Sequence, residues 1–196
     1  MGDRLLGSLF AIEGTRLGAM VWSDVVRAVY PGRFQPVHLG HVGVIRWALE
    51  RVDELIVAIG TAQESHTVVN PFTAGERVVM LRLAMEEFGV DLRRVYVIPV
   101  PDILMNAVWV NYLQLYVPKF RYGVARNPLV VRLFKEAGYD VLVPPPYERG
   151  RYSSTRIRRL MAVGDSNWRE LVPPSVAKFI DEIGGVERIR EVLGLD

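Results

Sequence analysis

The chain has 196 residues, the length of one domain, enough for a substantial core and too short for two independent ones. Half of its residues are apolar, but they fall in short runs and none approaches the roughly 18–20 residues that span a bilayer, so a soluble protein with no membrane partner is expected. A formal net charge of only +2 argues against a dedicated polyanion binder, and the absence of cysteine removes disulfides and thiolate metal sites and fits a cytoplasmic location.

Residues 1–24 hold an early arginine and a brief apolar run that Glu13 and Arg16 interrupt, and no small-residue cleavage pattern follows. They are read as a loose N-terminal extension, with Met20 as an alternative start, to a domain that occupies residues 25–196. Residues 25–30 read as a buried strand. Val42, Ile45, Leu49 and Val52 recur at helical spacing, which predicts a helix over 38–52. A second strand spans 54–61. Over 73–89, Thr73 and Glu76 make a capping box and Gly89 takes the C-cap position of a helix. Residues 95–100 form a third strand, and 106–117 suit either state by composition, with length favouring a helix. A fourth strand, 121–125, precedes Asn127 and Pro128, the N-cap and first-turn proline of a helix that ends on Gly138. A fifth strand covers 140–145. The remainder is helical, with Pro173 and Pro174 starting the final segment. This alternation predicts an α/β fold, a doubly wound parallel sheet with a helical C-terminus, whose ligand sits beyond the C-terminal ends of the strands.

The segment after the first strand, PGRFQPVHLGH (31–41), has neither the GxGxxG nor the GxxxxGK[ST] phosphate-binding spacing. His38 and His41 share one face at a helix start, Gly40 leaves room for a ligand to approach the backbone, and the helix N-terminus offers unpaired N–H groups. An isolated HxxH is more often surface or core. Zinc is disfavoured: His66 has no partner at metal spacing, and HLGH lacks the glutamate of an HExxH helix. In residues 148–160, Ser153, Ser154 and Thr155 are cap candidates, followed at once by Arg156, Arg158 and Arg159. Cations at a helix N-terminus oppose its dipole unless an anion is present, which points to phosphate, with a solvated arginine face as the alternative.

Taken together, HxGH after strand one (His38 to His41) and [ST]xxIR near the end (Thr155 to Arg158) resemble the signature of the HIGH-superfamily nucleotidyltransferases. GRFQPVHLGH, TAQESHTVVNPFTAGER (61–77), NAVWV (106–110), NPLV (127–130) and YSSTRIRR (152–159) further resemble the archaeal type of nicotinamide-nucleotide adenylyltransferase, over residues 27–193. The resemblance implies a Rossmann-like fold and a direct in-line displacement, in which the 5′-phosphate of nicotinamide mononucleotide attacks the α-phosphorus of ATP and NAD and pyrophosphate form. Such chemistry needs alignment and charge neutralisation more than a proton-transfer residue.

The same resemblance assigns residues. His38, His41, Arg33 and Arg158 form the catalytic set, with the histidines on the triphosphate and Arg33 near the transfer point. Thr155 and Arg158 hold the β- and γ-phosphates, and Gly40, Asn127 and Ser154 complete the ATP site. Phe34, Asp102, Asn106 and Trp109 are the acceptor site: Trp109 stacks on the pyridinium ring, a contact worth roughly 0.5–2 kcal/mol, Asn106 meets the carboxamide and Asp102 the ribose. Core packing is the alternative for Trp109, and Asn127 is an N-cap first. Mg²⁺ arrives with ATP, held by phosphates and water, since no acidic cluster suggests a protein-built metal site. A homo-oligomer such as a hexamer is implied, and no nucleic-acid partner. Arg126 stands where relatives often have glycine, and Gln63, Ser65 and His66 receive no role. The alternatives are a different phosphate acceptor, such as phosphopantetheine, or a non-catalytic nucleotide-binding protein. An RNA-binding module is weak because only Tyr152 interleaves the basic run.

Overall fold

A computed structural model describes residues 24–148 and 150–195; the expected extension therefore lies, but for Asp24, outside the described residues. The chain alternates strand and helix: β1 (Arg27–Gly32), α1 (Leu39–Leu49), β2 (Glu54–Ile59), α2 (Ala74–Glu87), β3 (Val95–Pro99), α3 (Trp109–Leu113), β4 (Tyr122–Val124), α4 (Pro128–Glu136), β5 (Asp140–Leu142), α5 (Ser154–Ala162), α6 (Pro174–Glu182) and α7 (Gly185–Leu193). The five strands form one parallel sheet in the order β3-β2-β1-β4-β5. From β1 the chain winds one way to β2 and β3, then crosses to β4 and β5 on the other side. The reversal lies between β1 and β4, where an open parallel sheet leaves a crevice at its C-terminal edge.

Both sheet faces are covered, so the strands are apolar at successive positions instead of alternating. On β2, Leu55, Val57 and Ile59 face a core built with α1, α2, α5, α6 and α7. Ile56 and Ala58 face the other way, with Val29, onto Val110 and Leu113 of α3 and Phe134 of α4. The larger core holds its last helix with an ion pair, Arg188 to Glu76 at 2.7 and 2.9 Å. None of the described helices is long and apolar enough to cross a membrane.

The capping box that opens α2 is present, with Thr73 Oγ1 accepting from Glu76 N at 3.1 Å and Glu76 Oε2 accepting from Thr73 N at 2.8 Å. Asn127 caps α4 by accepting from Leu129 N at 2.9 Å. Strand one begins later and runs further than expected, with Pro31 and Gly32 still paired to Ala58 and Ile59. The helix expected over 106–117 is broken into a 3₁₀ turn, Asn106–Val108, and the five-residue α3. No side chain caps either piece, Val108 and Val110 are β-branched, and Pro118 disfavours a helical conformation at Val117.

Gly123 of β4 lies under the Phe134 ring, and a Cβ there would come within 2.6 Å of it. Because Phe134 is fully buried, Gly123→Ala is expected to cost about 1–3 kcal/mol through overpacking, seen as a fall of several degrees in Tm. An unchanged Tm would show that the α4 side of the sheet is loosely packed.

Candidate active site

The start of α1 is built from two histidines. His38 is the N-cap, in extended conformation, and its Nδ1 accepts from the backbone N–H of His41 at 3.3 Å. His41 Nδ1 accepts in return from the backbone N–H of His38 at 3.2 Å, so the pair makes a capping box in which both members are imidazoles. The rings stack with centroids 3.5 Å apart and planes 15° from parallel. An Nδ1 that accepts carries no proton, so each neutral ring is the tautomer with N–H at Nε2, the atom at the far end from the helix. Burial pushes His38 down to about 4, and burial together with repulsion from His38 holds His41 well below the ordinary range. At neutral pH the pair offers two Nε2–H donors and no charge.

Positive charge comes from arginine. Arg33 is exposed, and its side chain has no hydrogen-bond or ion-pair partner among the described residues. Arg158 donates from Nε to Val68 O at 3.2 Å and from an η-nitrogen to Gln35 O at 2.7 Å. Burial and the neighbouring Arg33 lower its pKa. Arg156 donates to Gly150 O at 3.0 Å. Backbone carbonyls thus satisfy part of the cationic cluster that α5 carries in its first turns. Ser153 is the N-cap of α5 but makes no side-chain cap bond; Ser154 Oγ donates to Pro36 O at 3.0 Å, and Thr155 is exposed.

Two cavities open at the C-terminal edge of the sheet. The larger, about 370 Å³, is lined by Tyr30 and Pro31 of β1, His38, Gly40 and His41 of α1, Ala125 to Asn127 after β4, Pro144 and Pro145 after β5, and Ser153 and Ser154 at α5. A Cβ on Gly40 would come within 3.1 Å of the His38 ring and of Tyr152. Arg126 lines this cleft and donates to Pro144 O at 2.6 Å, joining the loops after β4 and β5. The smaller cavity, about 30 Å³, is lined by Gly60, Thr61, Val100, Asp102 and Trp109 among others, and Pro31 belongs to both.

The candidate residues divide accordingly. His38, Gly40, His41, Asn127 and Ser154 line the large cleft, Asp102 and Trp109 the small one, and Arg33, Asn106, Thr155 and Arg158 line neither. Trp109 also meets Phe134 edge-on at 5.7 Å, so it packs and lines at once. The Asp102 carboxylate accepts from Leu104 N at 3.0 Å. Phe34 departs from expectation: its ring is 1% exposed and lies edge-on to Tyr30 and His41, so it supports His41 from the core and presents no face to a ligand. His66 is exposed with its Nδ1 2.9 Å from Ser65 Oγ and lines neither cavity.

Three polar residues escaped the sequence reading. Arg77 is fully buried and donates to Thr73 O, Arg33 O, Gly60 O and Thr61 O at 2.8–3.2 Å. Gln35, also buried, exchanges two bonds with the Phe72 backbone, at 2.8 and 2.9 Å. Tyr30 lines the large cleft, and its hydroxyl, with its pKa raised by burial, has no hydrogen-bond partner among the described residues. Arg77 carried a signal: it shares the α2 stripe of Met80, Leu81 and Ala84, where an arginine must find internal acceptors.

The chain matches the cytidylyltransferase-like family over residues 29–160. It is 61% identical over 170 residues to the nicotinamide-nucleotide adenylyltransferase of Saccharolobus solfataricus, covering 87% of this chain and 98% of the relative. To that of Ignicoccus hospitalis it is 59% identical over 167 residues, 85% and 98% of the two chains. Among solved structures it is similar to a bifunctional NMN adenylyltransferase/ADP ribose pyrophosphatase from Francisella tularensis, with TM-score 0.66 and 22% identity over 85% of this chain. The chain spans 53% of that bifunctional chain, and at such identity the likeness shows the fold. Another structure of that protein, complexed with AMP and Mn ion, gives TM-score 0.63 and 23% identity over 85% and 52% of the two chains.

The buried histidines set a pH dependence. In the unfolded chain imidazole titrates near its ordinary value of about 6.5, and in the fold His38 is held near 4 with His41 also low. Between those values the unfolded chain binds more protons, so stability is complete above about pH 6.5 and is lost as the pH falls. From pH 6.5 to 5 the urea-unfolding free energy is expected to drop by about 1–2 kcal/mol on account of His38, with His41 adding in the same direction. His38→Asn keeps a cap acceptor without a titrating ring and should make the drop shallower. A drop equally steep in that variant would mean that His38 is not held neutral.

Proposed function

We infer the reaction from membership: the chain belongs to the cytidylyltransferase-like family, and within it to the nicotinamide-nucleotide adenylyltransferases. We propose that it joins ATP and nicotinamide mononucleotide into NAD. A phosphate oxygen of the mononucleotide forms a bond to the α-phosphorus of ATP, the bond from that phosphorus to the bridging oxygen breaks, and the electron pair leaves with pyrophosphate. The observation that carries this is the meeting of two cavities at Pro31, one with the histidine pair and one with Trp109 and Asp102. A junction at the C-terminal end of the central strand is where two bound nucleotides would present their phosphates to each other.

In this reading the triphosphate lies along the start of α1, with the Nε2–H groups of His38 and His41 directed to it and the adenosine toward Asn127 and Ser154. Gly40 admits the phosphates close to the backbone. Arg33 neutralises charge at the transfer point, and Thr155 and Arg158 take the β- and γ-phosphates, so that charge developing on pyrophosphate meets fixed cations. Arg158 has five guanidinium N–H groups and commits only two to carbonyls. Trp109 takes the pyridinium ring, Asn106 its carboxamide and Asp102 the ribose. Phe34 contributes to the acceptor through its main chain at most. Mg²⁺ enters with ATP and offsets phosphate charge, held by phosphate oxygens and water; among the described residues no cluster of three or more His, Asp or Glu side chains gathers. The nicotinate form of the mononucleotide is a second acceptor. Leu104 and Leu115 are 87% and 79% exposed, apolar side chains that self-association would cover.

Incubation with ATP, nicotinamide mononucleotide and Mg²⁺ should yield NAD and pyrophosphate in equal amounts, and binding of both without product would make the chain a nucleotide-binding protein instead. Trp109→Ala should weaken the mononucleotide by roughly 1–3 kcal/mol, raising its KM more than it lowers kcat, with the KM for ATP nearly unchanged. Equal weakening of both substrates would assign Trp109 to packing on Phe134 alone.

A further inference from the structure

We propose that Arg77 is a positioning residue for the transfer step: it fixes the backbone from which Arg33 reaches the reacting phosphates. The inference rests on the adenylyl-transfer reading, and it concerns a residue that touches neither cavity. Arg77 projects from the first turn of α2 into the space beneath the loops that follow β1 and β2. It is 0% exposed. One η-nitrogen donates to Arg33 O at 3.0 Å and Gly60 O at 2.8 Å, the other to Thr61 O at 3.2 Å, and Nε to Thr73 O at 3.1 Å.

Ion pairing does not explain an arginine here. Burial lowers its pKa to about 10, with Glu76 opposing the shift, yet both carboxylate oxygens of Glu76 are engaged by Arg188. A methionine or leucine would fill the volume without burying a charge. A planar fork of donors supplies something an apolar side chain cannot, the simultaneous fixing of carbonyls on separate segments. Two of the segments it joins carry non-glycine residues in the left-handed region, Phe34 at φ 53° and Thr61 at φ 52°. Such residues persist there when their surroundings over-determine them, and the guanidinium does so for the peptides on either side.

The consequence falls on Arg33. Its side chain has no partner among the described residues to orient it, so its direction is inherited from its backbone, and the carbonyl of that residue is bonded to Arg77. Gly60 N donating to Gly32 O at 2.9 Å ties the β2 loop to the residue just before. Loosening the fork moves both loops together.

The test measures NAD formation, KM for each substrate and Tm for Arg77→Lys, Arg77→Gln, Arg33→Ala, the double variant Arg33→Ala/Arg77→Lys and, as a control, Val52→Ala at the opposite end of the sheet. Lysine keeps the charge but not the fork. Arg77→Lys is expected to lower kcat by about 10–100-fold, the scale of an ångström-size misplacement, with each KM within about threefold of wild type. In the Arg33→Ala background the same substitution should add less than about threefold, because Arg77 acts through Arg33. Val52→Ala should lower Tm and leave kcat unchanged. Wild-type activity in Arg77→Lys, effects that multiply in the double variant, or failure of both Arg77 variants to fold would each overturn the proposal. Absence of NAD formation by the wild type would instead overturn the reaction itself.

Discussion

The top of the sheet depends on side-chain donors that engage main-chain carbonyls. A site for a triphosphate has to present N–H groups and cations, and every bare carbonyl near it repels the ligand. In this protein Arg77, Gln35, Arg158 and Ser154 bind the carbonyls of Arg33, Gly60, Thr61, Phe72, Val68, Gln35 and Pro36. The loops after β1 and β2 and the start of α5 are thereby joined into one frame. No carboxylate is hydrogen-bonded to Arg33, Arg77 or Arg158 among the described residues. The fold uses guanidinium groups near the cleft to close its loops.

In the proposed reaction the histidine pair has a different part. A protonated imidazole would add charge, but stacking the two rings at 3.5 Å and burying both makes protonation costly. The reciprocal cap fixes which ring nitrogen keeps its hydrogen, and the edge-on contact of Phe34 with His41, at 4.8 Å between centroids, supports the ring from below. Orientation is settled before any ligand arrives, which is the condition under which a neutral donor contributes most to a developing negative charge. Neutral donors thus serve the start of α1, while the permanent charge sits on guanidiniums that do not titrate near neutrality.

Much of this was legible in the chain, for local reasons. The strand–helix alternation, the Thr73–Glu76 box, the Asn127–Pro128 helix start and the HxGH pair are signals contained within a few residues, and each appears where the sequence places it. Residues 106–117 were harder, because a short apolar run fits either state and the segment has no side-chain N-cap and runs into Pro118. The burial of the Phe34 ring was not legible, because adjacency to motif residues does not reveal which way a ring turns; with φ at 53° the ring lies in the core. The frame of carbonyl bonds was invisible for another reason. Its partners are 44 residues apart for Arg77 and Arg33 and 123 apart for Arg158 and Gln35, and a side chain that binds backbone leaves no trace in the identity of its partner.

If alignment and fixed charge carry the reaction, no residue needs to hold the adenylyl group between substrates. The most direct measurement uses ATP bearing sulfur of defined configuration at the α-phosphorus, with nicotinamide mononucleotide as acceptor, and determines the configuration of the phosphorus in the product. A single in-line displacement inverts it. Retention would require two displacements through an adenylylated enzyme and would contradict a site that works by positioning alone.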